Sequence, residues 1–162
     1  FFFLMNEILN LIWITLLPFL ELRASIPYGV FKTELSLLTI FLVCVITNIV
    51  LAPIVYFILD NFVGLFTKIK FIDRIYQKIV IRTQRRVHKY VEKYGVLGLA
   101  LFIGVPLPGS GVYSGALAAY LLGFRKRDFF MAAVIGVLIA GTIVLLVSTA
   151  GNSALSFMIK NV

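Results

Sequence analysis

The sequence predicts an all-α integral membrane protein: two inverted repeats, each a re-entrant helical hairpin plus one transmembrane helix, joined by an amphipathic interfacial helix. Three observations lead there. The 162 residues are 61% hydrophobic and 14% charged, with a mean hydropathy of +1.05, whereas soluble domains are about half apolar and about a quarter charged. Long apolar runs alternate with shorter ones broken by Pro and Gly. The basic residues behind the net charge of +8 gather between the apolar runs, as the positive-inside rule requires of cytoplasmic segments. The charge therefore reads as topology and not as nucleic-acid binding, and the length allows one membrane domain with no separate soluble enzyme domain.

Taken in order, Ile8 to Leu20 is apolar but falls short of the ~20 residues a straight span needs, so it reads as half a crossing. Met5 either continues the chain from Phe1 or is its natural start, and no secretory signal pattern is expected there. From Glu21 to Gly29 the helix should break, because Pro18 and Pro27 remove backbone donors and Gly29 tolerates unusual dihedrals. Lys32, Thr33 and Glu34 then mark an interface. Leu35 to Leu59 is uncharged and long enough to cross with some tilt, which completes a first repeat over 8–59.

Residues 60–94 change character. Phe62, Leu65, Phe66, Ile69, Ile72 and Tyr76 recur at helical spacing, while Lys70, Arg74, Lys78, Arg82, Arg85, Lys89 and Lys93 form a basic stripe. Such a helix lies on a membrane surface, its basic side facing the anionic cytoplasmic leaflet. Gly95 to Gly123 is again apolar, interrupted from Gly104 to Gly115 and followed by Arg125, Lys126 and Arg127. Both flanks are basic and the length is too small for two crossings, so this segment should enter from the cytoplasm, turn and return. Phe129 to Ala150 makes the second full span, with Gly136 and Gly141 permitting close helix packing, and 151–162 reads as a short tail. The second repeat, 95–150, then runs opposite to the first. Cys44 is the one cysteine, which excludes an intrachain disulfide, and it reads as a small buried hydrophobe.

Glu21 and Arg23 are the residues that call for an explanation. Ionised groups in hydrocarbon cost about 2.5 to 3.5 kcal/mol each on insertion scales, so they face one another, a bundle interior or a water-filled cavity. Irregular backbone at membrane depth is tolerated only in such places. Short Gly/Pro-interrupted segments in corresponding positions point to a midplane binding site. The expected site gathers Glu21, Arg23, Ser25, Pro27 and Asn48 with Pro108, Gly109, Ser110, Gly111, Tyr113 and Ser114. If the tips meet, half-helix N-termini present free amides, Ser25, Ser110, Ser114 and Tyr113 add hydroxyls, and Arg23 offers a planar fork for phosphate or carboxylate. An anionic ligand follows, with phosphate first. Burial of a carboxylate favours its neutral form, so Glu21 also has a proton-carrying role available. The plainer alternative is that Glu21 and Arg23 only stabilise the turn. No nucleophile and base pair, metal-ligand cluster or phosphate-binding glycine fingerprint appears, so neither an enzyme, nor a cofactor, nor a metal is expected.

Glu21-Leu22-Arg23-Ala24-Ser25-Ile26-Pro27 and the run from Pro106 to Leu117 resemble the two signature segments of the small multi-drug export protein family of prokaryotic membrane proteins. That family in turn resembles the DedA/VTT superfamily, which is associated with facing re-entrant hairpins and lipid translocation. The resemblance implies a multi-pass carrier of the prokaryotic inner membrane, with Glu21 and Arg23 at the acidic and basic motif positions. Its implied partners are anionic membrane lipids and protons, and a homodimer fits so few spans. The expected function is proton-coupled translocation of a phosphate-bearing lipid. The alternatives are a proton-coupled small multidrug exporter, in which Glu21 binds substrate and proton in turn, and a membrane scaffold whose basic helix recruits a partner.

Overall fold

The computed structural model describes residues 2–18, 20–66, 95–107 and 110–160, and among these it contains six helices and no strand. They are α1 (Phe2–Leu16), α2 (Glu21–Lys32), α3 (Leu37–Phe66), α4 (Gly95–Gly104), α5 (Val112–Leu121) and α6 (Lys126–Lys160). In hydrocarbon a helix is the one open segment that satisfies its own backbone polar groups, and an apolar sequence of this kind has no cheaper choice. Two stretches, Leu37–Asn61 and Lys126–Gly151, are long and apolar enough to cross a membrane. Their outward faces are apolar: Leu38, Ile46, Val50 and Phe57 of α3 and Leu146 and Val147 of α6 are exposed.

The two candidate spans run antiparallel. Gly141 of α6 lies against Phe41 and Val45 of α3, while Tyr56 of α3 stacks on Phe129 of α6 and Lys126 pairs with Asp60 at 2.6 Å. The shorter helices form two helix–turn–helix pairs packed on this frame. In the first, Thr15 of α1 meets Ser25 of α2, and α2 lies against α3 with Gly29 beside Ile40. A Cβ on Gly29 would sit 2.7 Å from the Ile40 side chain, so this glycine serves close packing and not a break. In the second, Gly115 of α5 abuts Ile103 of α4, and α4 presses on α6 where a Cβ on Gly136 would lie 2.7 Å from the Ala100 carbonyl oxygen. The close packing expected of Gly136 and Gly141 is present. Each pair also reaches across: α2 packs on α6, and α5 packs on α3.

Several boundaries differ from the sequence reading. Among the described residues the first break takes in Leu17, Pro18 and Leu20 and not Glu21 to Gly29, since α2 starts at Glu21 and continues through Pro27. A proline inside a helix removes one backbone bond, and here packing on α1, α3 and α6 holds the helix together despite it. Among the described residues the second break takes in 105–107 and 110–111, so Val112 to Gly115 is already helix α5. Helix α3 continues past Asp60 to Phe66, and α6 continues past Ala150 to Lys160. The expected basic amphipathic helix lies, from residue 67 to residue 94, outside the described residues.

Candidate functional site

The first turn is closed by backbone bonds from Leu20 and Glu21 to the Leu17 carbonyl. That closure puts Glu21 at φ 46, the left-handed region that a side-chain-bearing residue rarely occupies. Such a conformation costs of the order of 1–3 kcal/mol and persists only where the surroundings hold it. What holds it is the second pair. The Glu21 carboxylate accepts hydrogen bonds from the Val112 N–H at 3.1 Å and the Tyr113 N–H at 3.3 Å, the first amides of α5, and from Asn48 Nδ2 of α3 at 3.4 Å. Glu21 is 4% exposed and Asn48 1%.

Arg23, two residues on, turns to the other end of the same break. Its guanidinium donates to the Val105 carbonyl at 3.2 Å and to Ser110 Oγ at 3.0 Å. Ser110 in turn donates to the carbonyls of the turn, with Leu107 O at 3.0 Å and Val105 O as acceptors. Among the described residues no ion pair joins Glu21 to Arg23. Each charge instead meets the helix end of opposite sign: the carboxylate caps the positive N-terminus of α5, and the guanidinium meets the carbonyl just past the C-terminus of α4. The expectation of free amides at this tip is therefore corrected, because Glu21 already occupies those of Val112 and Tyr113.

Other expected residues fall into place around this contact. Gly111 is required by it, since a Cβ there would lie 2.5 and 2.7 Å from the two carboxylate oxygens of Glu21. Tyr113 points its hydroxyl back to the Leu16 carbonyl at 2.6 Å, tying α5 to the end of α1. Ser25 is buried, with its Oγ 3.3 Å from the Glu21 carbonyl. Ser114 turns to the Gly111 carbonyl of its own helix at 3.4 Å, and Pro27 lies within α2. Pro108 and Gly109 lie outside the described residues.

Sequence reasoning missed two groups. Thr15 is buried with its Oγ1 2.7 Å from Ser25 Oγ and 2.7 Å from the Leu11 carbonyl. Glu7 is buried as well, and one of its carboxylate oxygens has no partner. Glu7 and Thr15 are eight apart with buried Leu11 midway, which puts all three on one face of the helix, turned inward.

The depth of the site follows from its contacts. Asn48 is next to the middle residue of the candidate span Leu37–Asn61, and the end of α4 at Gly104 meets α6 at Ile139 and Gly136, near the middle of Lys126–Gly151. Both tips thus meet halfway along the frame. Among the described residues no group of three His, Cys, Asp or Glu is placed to hold a metal ion. The arrangement ties α2 to both ends of the second turn, through one carboxylate and one guanidinium.

Compared with known protein families, residues 21–143, well over half of the chain, match the family described as "Putative small multi-drug export protein". No match was found among curated proteins or among solved structures.

Proposed function

The chain belongs to the small multi-drug export protein family, and from that premise we propose that it exports small amphipathic compounds across the membrane, with Glu21 as a proton-operated lock between two facing tips. It is a membrane protein of helical build, and the observation that carries the proposal is the Glu21 carboxylate seated on the Val112 and Tyr113 amides midway along the spans. While ionised, Glu21 receives charge-assisted hydrogen bonds and holds α2 to α5. Protonation removes the charge that the amides and the α5 dipole favour, and the tips part. A cationic or amphipathic compound that approaches the carboxylate competes for it with the same amides. Proton and substrate then use Glu21 in turn, which is the requirement for exchange.

The inverted-repeat reading gives this lock its two sides. Three contacts support it. Spans α3 and α6 are antiparallel, the first pair packs with Gly29 and Phe31 at the end of the frame where Ile40 and Gly151 lie, and the second pair leads into Arg125 to Arg127 at the end where Asp60 lies. On this reading the tips enter from opposite faces, and parting them opens one face at a time. Because Lys126 and Asp60 share an end, the basic cluster and the start of the basic segment fall on one side, the cytoplasmic one by the positive-inside rule.

A second reading, translocation of a phosphate-bearing lipid, has one observation in its favour: Arg23 Nε is buried and without a partner. Export of a lipophilic cationic dye from proteoliposomes under an imposed proton gradient decides between them. Exporter function predicts gradient-dependent dye movement that falls at least about tenfold in Glu21→Gln and survives Arg23→Ala in reduced form. Dye movement no faster than in protein-free vesicles, with folded protein, overturns it. Exchange of a labelled lipid phosphate that requires Arg23 would establish the second reading instead.

A further inference from the structure

Asn48 has an atom that the lock as described does not use. It is buried in α3, its Nδ2 donates to Glu21 Oε2 at 3.4 Å, and its Oδ1 has no hydrogen-bond partner. A buried carbonyl oxygen left without a donor carries a desolvation penalty that native interiors rarely leave uncompensated. An amide carries a donor and an acceptor at the same reach, and turning it over about the Cβ–Cγ bond exchanges Nδ2 for Oδ1 in front of the same neighbour.

We propose that Asn48 is a positioning residue that reads the protonation state of Glu21: it donates Nδ2–H to the carboxylate, and turns over so that Oδ1 accepts the O–H once Glu21 has taken a proton from the aqueous phase. The inference rests on the lock at Glu21 and deepens it. The ionised side chain has three partners, two of them amides of α5, and an added proton leaves it with a donor that backbone N–H groups cannot accept. Among the groups within reach, Asn48 Oδ1 is the buried acceptor standing empty. Glu21 therefore changes allegiance on protonation, from the N-terminus of α5 to the middle of α3. The first pair then stays with its own span while the second pair is released.

The other groups around Glu21 do not supply this function. Arg23, on the same helix, is charged and a donor only, and it faces Val105 and Ser110. Tyr113 of α5 directs its hydroxyl to Leu16. On α3, Cys44 is turned to Ser25 and Thr15, the latter from α1. Helix α6, which packs on α2, carries no titratable side chain from Phe129 to Gly151.

Infrared difference spectroscopy on the full chain in lipid, labelled with amide-13C asparagine, tests the assignment on acidification. The expected result is a protonated carboxyl band that is absent in Glu21→Gln, accompanied by a shift of one labelled amide carbonyl band to lower frequency as that carbonyl gains a donor. The amide shift should be lost in Asn48→Leu while the carboxyl band remains. A carboxyl band that titrates with every asparagine band unmoved overturns the inference and leaves the lock intact. Should Asn48→Leu fail to fold, Glu21→Gln decides: an amide shift that persists there has nothing to do with Glu21 and overturns the inference. Absence of any carboxyl band assignable to Glu21 overturns both.

Discussion

The two turns that meet at the centre of this protein are built from different material. The first, Leu17 to Leu20, is tight and hands over directly to two charged side chains, Glu21 and Arg23, on one helix. The second, 105–111, brings no charge of its own and offers backbone: two amides at the start of α5 and a carbonyl past the end of α4, with Ser110 between. One half supplies full charges and the other supplies the partial charges that match them. With that division, the release proposed for Glu21 would weaken a contact between the halves without touching the fold of either.

The sharpest way to break the comparison is at Gly111, which belongs to the backbone side but is dictated by the charged one. Gly111→Ala places a methyl group where the carboxylate oxygens stand, so Glu21 must leave the amides. Hydrogen bonds to charged groups contribute about 1.5–3 kcal/mol each, and stranding a buried charge costs more than losing a neutral pair. We expect a loss of about 3 kcal/mol in unfolding in mixed micelles, with export reduced as in Glu21→Gln. The cycle with Glu21→Ala makes it specific, because contacting residues do not add and the truncation removes the atoms the methyl group would meet. Gly111→Ala should cost far less when the carboxylate is already gone, and equal cost in both backgrounds would mean that Gly111 matters only for its own backbone.

Arg23→Ala sharpens the same comparison from the other end of the turn. The guanidinium donates to Val105 and Ser110, but those two are already bonded to one another through the serine hydroxyl. Removing it leaves no orphan in the turn, and the expected cost is about 1–2 kcal/mol, below that of Gly111→Ala. Both bonds come from the single nitrogen Nη2, so Arg23→Lys, whose ammonium also carries several donors, should recover much of this. If Arg23→Ala destabilises more than Gly111→Ala, the guanidinium and not the carboxylate is the main tie.

Much of the architecture was legible because the costs of membrane burial are large. Two apolar runs long enough to cross, two that are too short, and an acid and a base in the middle of hydrocarbon each leave few alternatives. Gly136 and Gly141 were readable as contact points for the same reason, since helices in lipid gain by close approach. The positions of the breaks were less so. Pro27 and Gly29 are strong local breakers, yet α2 runs through both because packing against α1, α3 and Ile40 outweighs one lost backbone bond. What each charge touches was not legible at all. Glu21 and Val112 are far apart in sequence, and nothing local says that the amides expected to await a ligand are filled by the protein's own carboxylate. Thr15 was readable in principle from its spacing with Glu7 and Leu11, but a lone threonine in an apolar helix ordinarily bonds its own turn, as Thr142 does to Leu138.

The smallest effect separates the tie between the halves from the tie between the turns. Tyr113 takes part in both: its amide serves Glu21, and its hydroxyl donates to the Leu16 carbonyl at the end of α1 at 2.6 Å. Tyr113→Phe keeps the amide and the ring and removes only the hydroxyl. Leu16 is at a helix end, where carbonyls lack intrahelical donors, so one acceptor is left unsatisfied in a half-buried place. The expected cost is about 1 kcal/mol, read from unfolding in mixed micelles, with proton-driven export within about twofold of the parent. A larger fall in export at the same small cost in stability would show that the hydroxyl also guides opening, and that the two turns are joined at a second point the proton must release. An unchanged stability would show that the Leu16 carbonyl finds another donor, leaving Glu21 and Arg23 to hold the two halves together.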